Sequence, residues 1–247
     1  AIASIVESAE MAMVDAGLEK SRLSSVIAGV GLAGVNLPSA FKAMSEWSHP
    51  FGKMFLTTDL HIACLGAHGG EEGAVMIAGT GSCGYFYSKE KTAIYGAHGF
   101  PYGDKGSGAW MGLEALRLML LAGDSLIADT LLTEKISEKF NAQGLGIVEA
   151  MVGALPRQYA QLAPLVLEAA EQGDEVAINI VKDGASYLSA VAKKLLADKP
   201  ARFSLLGGIS EKLIPWMDAD IRPHISVPLD QPESGAIYFA EKALKAL

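Results

Sequence analysis

The sequence has few residues of several informative kinds. Only two of its 247 residues are cysteines, and Cys64 and Cys83 form no C-x-x-C pair, so neither a disulfide framework nor a zinc knuckle is predicted. Charged residues make up 19%, with 20 Lys and Arg against 28 Asp and Glu. This composition excludes a disordered chain and a basic nucleic-acid binder. No basic segment or helix-turn-helix pattern supports a DNA-binding regulator either.

Long apolar runs are also missing. The stretch from Leu23 to Phe41 carries no charge over 19 residues, but it is interrupted by glycines, serines, an asparagine and a proline, unlike a membrane helix. A strand followed by a glycine turn explains it better. The chain opens without the charged region, apolar region and cleavage site of a signal peptide. We therefore predict a cytoplasmic protein that binds neither a membrane nor nucleic acid.

Glycine is in excess, because 27 of 247 residues is about 11%, against a typical ~7%. The glycines occur in bursts beside apolar runs, which is typical of loops whose backbone approaches a ligand closely. The hydrophobic periodicity predicts an α/β fold. Predicted strands cover residues 25–34, 53–58, 74–78, 83–87 and 202–206. Predicted helices cover residues 1–17, 38–47, 59–67, 108–121, 125–140, 155–171, 174–196 and 234–247.

A tight turn formed by Gly79, Thr80, Gly81 and Ser82 connects two predicted strands and is expected to close a hairpin. Bare backbone N–H groups in such a turn can hold an anion, and Thr80 and Ser82 add hydroxyl groups. The turn is not a P-loop, since G-x-x-x-x-G-K-[ST] is absent. It is not a Rossmann phosphate loop, since it opens a strand rather than a helix. An ordinary glycine hairpin turn remains the alternative.

Asp59 follows a predicted strand and begins a predicted helix, the place where ligand crevices form in α/β proteins. A carboxylate there can accept the proton of an attacking hydroxyl, as an aspartate does in phosphoryl transfer to alcohols. The alternative is that Asp59 is the N-cap of the helix. The two interpretations are compatible, because a capping carboxylate is held rigidly.

The loop over residues 95–107, with Trp110 just after it, combines polar, aromatic and glycine residues. Carboxylate and imidazole groups can bind sugar hydroxyls while an aromatic face covers the ring. The alternative assigns Asp104 or Ser107 to helix capping and Trp110 to the core. The other histidines show no metal-binding spacing, and no metal ligand is identified from the sequence.

Five segments, in this order, resemble the superfamily of sugar kinases, actin and heat-shock-type ATPases: Gly31–Gly34, Thr57–Asp59, Met76–Ser82, Gly103–Trp110 and Leu206–Gly208. Within it, the chain resembles the glucosamine and N-acetylglucosamine kinase branch of the BadF/BadG-type ATPases, and residues 49–84 are most similar to bacterial glucosamine kinases. The resemblance implies an α/β, two-lobed actin-like (ribonuclease H-like) fold. It places residues 1–72 in the first lobe, 73–232 in the second, and 233–247 in a helix that returns to the first.

The resemblance also implies a reaction, the ATP-dependent phosphorylation of glucosamine at its 6-hydroxyl with Mg²⁺. Asp59 would be the catalytic base. The residues implied in sugar binding are Gly34, Asn36, Thr58, Asp59, His98 and Asp104. The residues implied in ATP binding are Gly79, Thr80, Gly81 and Ser82 for the phosphates and Gly207 and Gly208 for the adenosine. The expected partner is an amino sugar, and a homodimer is expected only by analogy with the family.

The sequence departs from the family pattern in two places. The family's first phosphate loop, of the Asp-Gly-Gly-Gly-Thr type, is absent, so we expect the first lobe to lack its opening strands. Where many N-acetylglucosamine kinases carry a Trp in the sugar loop, this sequence has His98, which favours glucosamine over its acetylated form. Two alternatives stay open at this stage: an N-acetylglucosamine kinase, and a non-catalytic sugar- or ATP-sensing protein on the same fold.

Overall fold

A computed structural model describes residues 2–247. The strands are, in chain order, β1 (Ile27–Leu32), β2 (Lys53–Thr58), β3 (Gly73–Ala78), β4 (Ser82–Tyr87), β5 (Thr92–Gly96) and β6 (Phe203–Leu206). The α-helices are α1 (Ile2–Asp15), α2 (Pro38–Ser45), α3 (Asp59–Ala67), α4 (Gly108–Gly123), α5 (Leu131–Phe140), α6 (Leu145–Ala150), α7 (Pro156–Ala160), α8 (Ala163–Glu171), α9 (Glu175–Ala197), α10 (Ser210–Leu213) and α11 (Pro232–Lys245). They form two compact units: unit 1 comprises residues 2–73 and 228–247, and unit 2 comprises Ala74–Val227.

Unit 1 is built on a parallel pair of strands, β1 and β2, with Leu32 opposite Thr58 in the register. Helix α11, from the far end of the chain, packs against α3 and β1. The backbones of α3 and α11 approach so closely that a Cβ atom on Gly235 would lie 1.9 Å from the carbonyl oxygen of Ile62. Only glycine therefore fits at this crossing, and the contact fixes the start of α3, where Asp59 lies.

Unit 2 contains a four-stranded sheet in the order β5-β4-β3-β6. β3 pairs with β6 in parallel, and β4 pairs with β5 antiparallel. The side chains of β3 are almost all buried, as expected for a strand covered on both faces. The hydrophobic core of unit 2 lies between the sheet and helices α4, α8 and α9. It contains fully buried residues such as Met76, Met111, Leu167, Leu188 and Phe203.

The predicted strands and α-helices agree with the structure to within a few residues, with five exceptions. Residues 210–213 form the short helix α10, which was not predicted. Residues 92–96, part of which was predicted as loop, form β5, and residues 145–150 form the unpredicted helix α6. The helix predicted from residue 125 begins at Leu131, after the N-cap Thr130. The helix predicted over 155–171 is divided into α7 and α8. Cys64 and Cys83 are not joined in a disulfide, as predicted.

Within residues 2–247, no helix is both long enough and apolar enough to cross a membrane.

Candidate active site

In unit 1, two of the predicted sugar-binding segments leave the sheet at the same edge. Because β1 and β2 are parallel and end opposite each other at Leu32 and Thr58, the residues that follow both strands lie at their common carboxyl end. After β1 the chain turns through Gly34, which has a φ of +82°, and the amide of Leu37 donates to the Gly34 carbonyl at 3.1 Å. Asn36, in the same turn, is exposed.

Asp59 is the first residue of α3, and its side chain is exposed. The alternative that Asp59 is the N-cap is wrong: the N-cap is Thr58, whose hydroxyl oxygen accepts a hydrogen bond from the amide of His61 at 3.1 Å. A threonine hydroxyl satisfies one of the unpaired amides of the first turn. The carboxylate of Asp59 accepts from the amide of Leu60 at 2.9 Å, and the helix N-terminus favours its negative charge.

His61, two residues after Asp59, is partly buried, and its pKa is affected. Burial, and secondarily the positive charge of Lys242, lowers the pKa of His61 below its ordinary value. The ring of His61 meets the ring of Phe239 edge-on, with 5.5 Å between centroids. The surroundings of His61 therefore disfavour the charged form of its imidazole.

In unit 2, residues 79–81 connect β3 to β4, as the hairpin prediction required. The amides of Gly108 and Ala109 donate to the carbonyls of Gly79 at 2.8 Å and Thr80 at 3.2 Å. In a trans peptide the N–H points opposite to the C=O, so the amides of Thr80 and Gly81 point away from α4. Those two amides, together with the exposed side chain of Thr80, can hold an anion.

A second glycine pair lies beside this turn. Ile77 of β3 is opposite Leu206 of β6, so Gly207 and Gly208 leave the sheet next to the turn. Gly207 has a φ of +105°, and a Cβ atom on it would lie 2.3 Å from the Ala78 carbonyl oxygen. A Cβ atom on Gly208 would meet nothing within 4 Å. Gly207 is thus required by the fold, whereas Gly208 presents bare, exposed backbone that a side chain would not disturb.

The predicted sugar loop lies against the turn. Ser107 is fully buried and is the N-cap of α4, its hydroxyl oxygen accepting from the amide of Trp110 at 3.2 Å, so the capping alternative holds for Ser107. Asp104 does not cap α4, because the N-cap is Ser107; the backbone of Asp104 has a φ of +59°. A Cβ atom on Gly81 would lie 2.9 Å from a carboxylate oxygen of Asp104. His98 is exposed, and its Cβ atom would be 2.6 Å from one placed on Gly103.

The hydroxyl of Ser82 has a partner inside the protein. Ser82 is 4% exposed, and its hydroxyl donates to the carbonyl of Lys105 at 2.8 Å. Thr80 therefore carries the exposed hydroxyl of the turn.

Three residues in or beside the sugar loop, Lys105, Asp183 and Tyr187, were not predicted from the sequence as part of the site. Lys105 forms an ion pair with Asp183 at 2.7 Å and lies over the ring of Trp110, 5.6 Å from its centroid. Burial, followed by the negative charges of Asp104 and Cys83, raises the pKa of Tyr187. Asp183 and Tyr187 belong to α9, some 80 residues after the loop, so no local pattern could have revealed their contact.

The described part of the chain, residues 2–247, contains no group of three or more His, Cys, Asp or Glu side chains that could hold a metal ion. Mg²⁺ is usually held by one or two carboxylates together with substrate phosphates. A turn that can hold an anion therefore fits a magnesium–phosphate complex.

The chain is similar to two sugar kinases, to one of them over almost its entire length. It is 37% identical over 242 residues to the glucosamine kinase GspK of Vibrio cholerae, an alignment that covers 98% of this chain and 82% of that protein. It is 34% identical over 161 residues to the N-acetyl-D-glucosamine kinase of Dictyostelium discoideum, covering 60% of this chain and 50% of that one.

A solved structure is also similar. The crystal structure of a Chromobacterium violaceum protein provisionally named an N-acetylglucosamine kinase superimposes with a TM-score of 0.89 at 29% identity, covering 96% of this chain and 83% of that one. The fold is thus the α/β fold of the actin-like sugar kinases. The family model described as BadF/BadG/BcrA/BcrD ATPase matches residues 1–237. Because that model covers almost the whole chain, the chain belongs to the BadF/BadG/BcrA/BcrD ATPase family.

Proposed function

We propose that the protein is a kinase that transfers the γ-phosphoryl group of ATP to the 6-hydroxyl of glucosamine. The observation that carries the proposal is the 37% identity to a glucosamine kinase over 98% of this chain. It is supported by Asp59, an exposed carboxylate held by a capped helix start at the carboxyl end of β2.

The proposed role of Asp59 is that of general base. Its carboxylate accepts the proton of the 6-hydroxyl while the hydroxyl oxygen forms a bond to the γ-phosphorus. The bond from that phosphorus to the β,γ-bridging oxygen breaks, and ADP leaves. Positioning of the attacking hydroxyl is the main contribution of such a residue in phosphoryl transfer. The cap by Thr58 keeps the carboxylate in place.

The proposed roles in unit 2 follow from its bare backbone. The amides of Thr80 and Gly81, which point away from α4, and the hydroxyl of Thr80 hold the phosphates of ATP. Gly208 lies under the adenosine, where a side chain would occupy the space. Asp104 and His98 bind ring hydroxyls of the sugar from the neighbouring loop, and Gly34 and Asn36 extend sugar binding in unit 1.

The turn of Thr80 and Gly81 would hold Mg²⁺ only together with the phosphates of ATP, and the ion would there supply positive charge to neutralise that of the transferred phosphoryl group. The chain's own contribution to this neutralisation is the set of backbone dipoles in the turn. Such groups are fixed before the reaction and need no reorganisation during it.

The proposal is tested by measuring ADP formation and the phosphorylated product with glucosamine and with N-acetylglucosamine. We expect MgATP-dependent formation of glucosamine 6-phosphate, with a higher kcat/KM for glucosamine. If calorimetry shows that the protein binds the sugar but no phosphorylated product forms, the result would favour a sugar sensor over a kinase.

N-acetylglucosamine kinase is the second candidate. It is favoured by the 34% identity to the Dictyostelium enzyme. Its mechanism would use the same residues, so only the sugar loop distinguishes the two. A higher kcat/KM for the acetylated sugar would establish this candidate in place of the first.

A further inference from the structure

We infer that Ser82 is a positioning residue that couples sugar binding to ATP binding, by linking the phosphate turn to the sugar loop. The phosphate turn is defined as residues 79–82. The sugar loop is defined as residues 97–107, the part of the predicted loop 95–107 that follows β5. The inference rests on the proposed function and adds to it a thermodynamic link between the two ligands of unit 2.

The first observation is the hydrogen bond that joins the two segments. The Ser82 hydroxyl donates to the Lys105 carbonyl at 2.8 Å across 23 residues of sequence, and Ser82 is 4% exposed. A buried hydroxyl with a protein partner holds that partner in place, and its removal leaves the carbonyl without that donor. The bond therefore fixes the backbone immediately after Asp104.

The second observation is the position of Asp104 itself. Its φ of +59° lies in the left-handed region, which aspartate adopts more readily than most residues but still at a cost, and two contacts help to hold it there. One contact is the amide of Ser107, which donates to the Asp104 carbonyl at 3.0 Å. Another is the backbone of Gly81, where a Cβ atom would lie 2.9 Å from the Asp104 carboxylate.

The sugar-binding carboxylate thus lies directly on the turn proposed to hold the phosphates. An ATP molecule that orders the turn will also order the loop through Ser82, and the sugar will then bind a loop that is already ordered. Ordering by a first ligand strengthens the binding of a second, and the coupling is reciprocal.

The test is calorimetry of glucosamine binding with and without saturating magnesium and AMPPNP, an ATP analogue that is not hydrolysed. We expect AMPPNP to lower the Kd of the sugar about fivefold or more in the unchanged protein. In Ser82→Ala the factor should fall at least threefold, while each ligand still binds alone. Ser189→Ala is the matched control, because Ser189 is a fully buried serine of the same unit whose oxygen accepts from the amide of Asp218 at 3.0 Å. Its coupling factor should be unchanged.

Hydrogen exchange provides a second readout. Its first measurement uses the unchanged protein, so it does not depend on whether Ser82→Ala folds. AMPPNP alone, with no sugar, should slow amide exchange across residues 97–107 of the unchanged protein. Ser82→Cys, which keeps the unbranched shape of the side chain in a slightly larger form but donates only weakly, should reduce that protection. Unchanged coupling in Ser82→Ala, or no protection by AMPPNP, would overturn the inference while leaving the kinase proposal intact. Absence of sugar phosphorylation by the unchanged protein would instead overturn the proposed function.

Discussion

Gly207 and Gly208 follow β6 directly, and we expect them to contribute to different properties. Substituting Gly207 should lower stability, whereas substituting Gly208 should weaken nucleotide binding. In Gly207→Ala, the new Cβ atom would lie 2.3 Å from the Ala78 carbonyl oxygen, on a backbone with a φ of +105°. In Gly208→Ala, the new atom would meet nothing within 4 Å. The pair is a matched comparison, because the same methyl group is added one residue apart in the same exposed loop.

The expected loss of stability in Gly207→Ala has two parts. A positive φ costs a residue with a side chain about 1–2 kcal/mol, and an atom inserted into a packed site costs about 1–3 kcal/mol. A total of about 3 kcal/mol would lower the melting temperature of a unit of this size by roughly 6–12 °C. Gly208→Ala should change the free energy of unfolding by less than about 1 kcal/mol.

Thermal unfolding followed by circular dichroism measures the first effect, and the KM for ATP measures the second. Gly208→Ala should raise the KM for ATP with little change in melting temperature, because its methyl group occupies space assigned to the adenosine. Equal melting temperatures for the two variants would refute the packing argument. An unchanged KM in Gly208→Ala would remove Gly208 from the nucleotide site.

Three further predictions concern single side chains. Thr58→Ala should lose about 1 kcal/mol of stability with the α3 cap, measured by urea unfolding, and Thr58→Ser should restore most of it. Burial raises the pKa of the Cys64 thiol to about 12 from an ordinary value of 9.0. Because the unfolded thiol loses its proton first, the free energy of unfolding should fall as pH rises from about 9 towards 12, and Cys64→Ala should remove that part of the pH dependence. His98→Trp should raise the kcat/KM for N-acetylglucosamine relative to glucosamine; an unchanged ratio would exclude His98 as the specificity residue.

Secondary structure was predicted best from the sequence where a local pattern is compatible with only one structure. β2 could be predicted with its exact bounds, 53–58, because a compact apolar run is followed directly by the start of a helix. The hairpin at Gly79 was predicted because a tight glycine turn lies directly between two predicted strands. Where two residues compete for one role, sequence is a weaker guide: Thr58 and Asp59 both suit an N-cap, and only the backbone geometry assigns it to Thr58.

Contacts distant in sequence could not be predicted at all. The bond from Ser82 to Lys105 and the ion pair from Lys105 to Asp183 depend on how the sugar loop folds back onto β4 and α9. β5 was missed because its sequence, Thr92–Gly96, is short and runs directly into the glycine-rich loop. Tertiary pairing with β4, rather than local propensity, makes it a strand.

The central claim is that Asp59 is the base of an amino-sugar kinase, and Asp59→Asn tests it most directly. The substitution keeps the shape of the side chain and removes its charge, so the fold should be retained; Asp15→Asn, at an exposed carboxylate at the end of α1, is the control. With glucosamine and MgATP, we expect kcat to fall by a factor of about 100 or more in Asp59→Asn and to stay unchanged in Asp15→Asn, with both melting temperatures close to that of the unchanged protein. A folded Asp59→Asn variant with near-normal kcat would contradict the account.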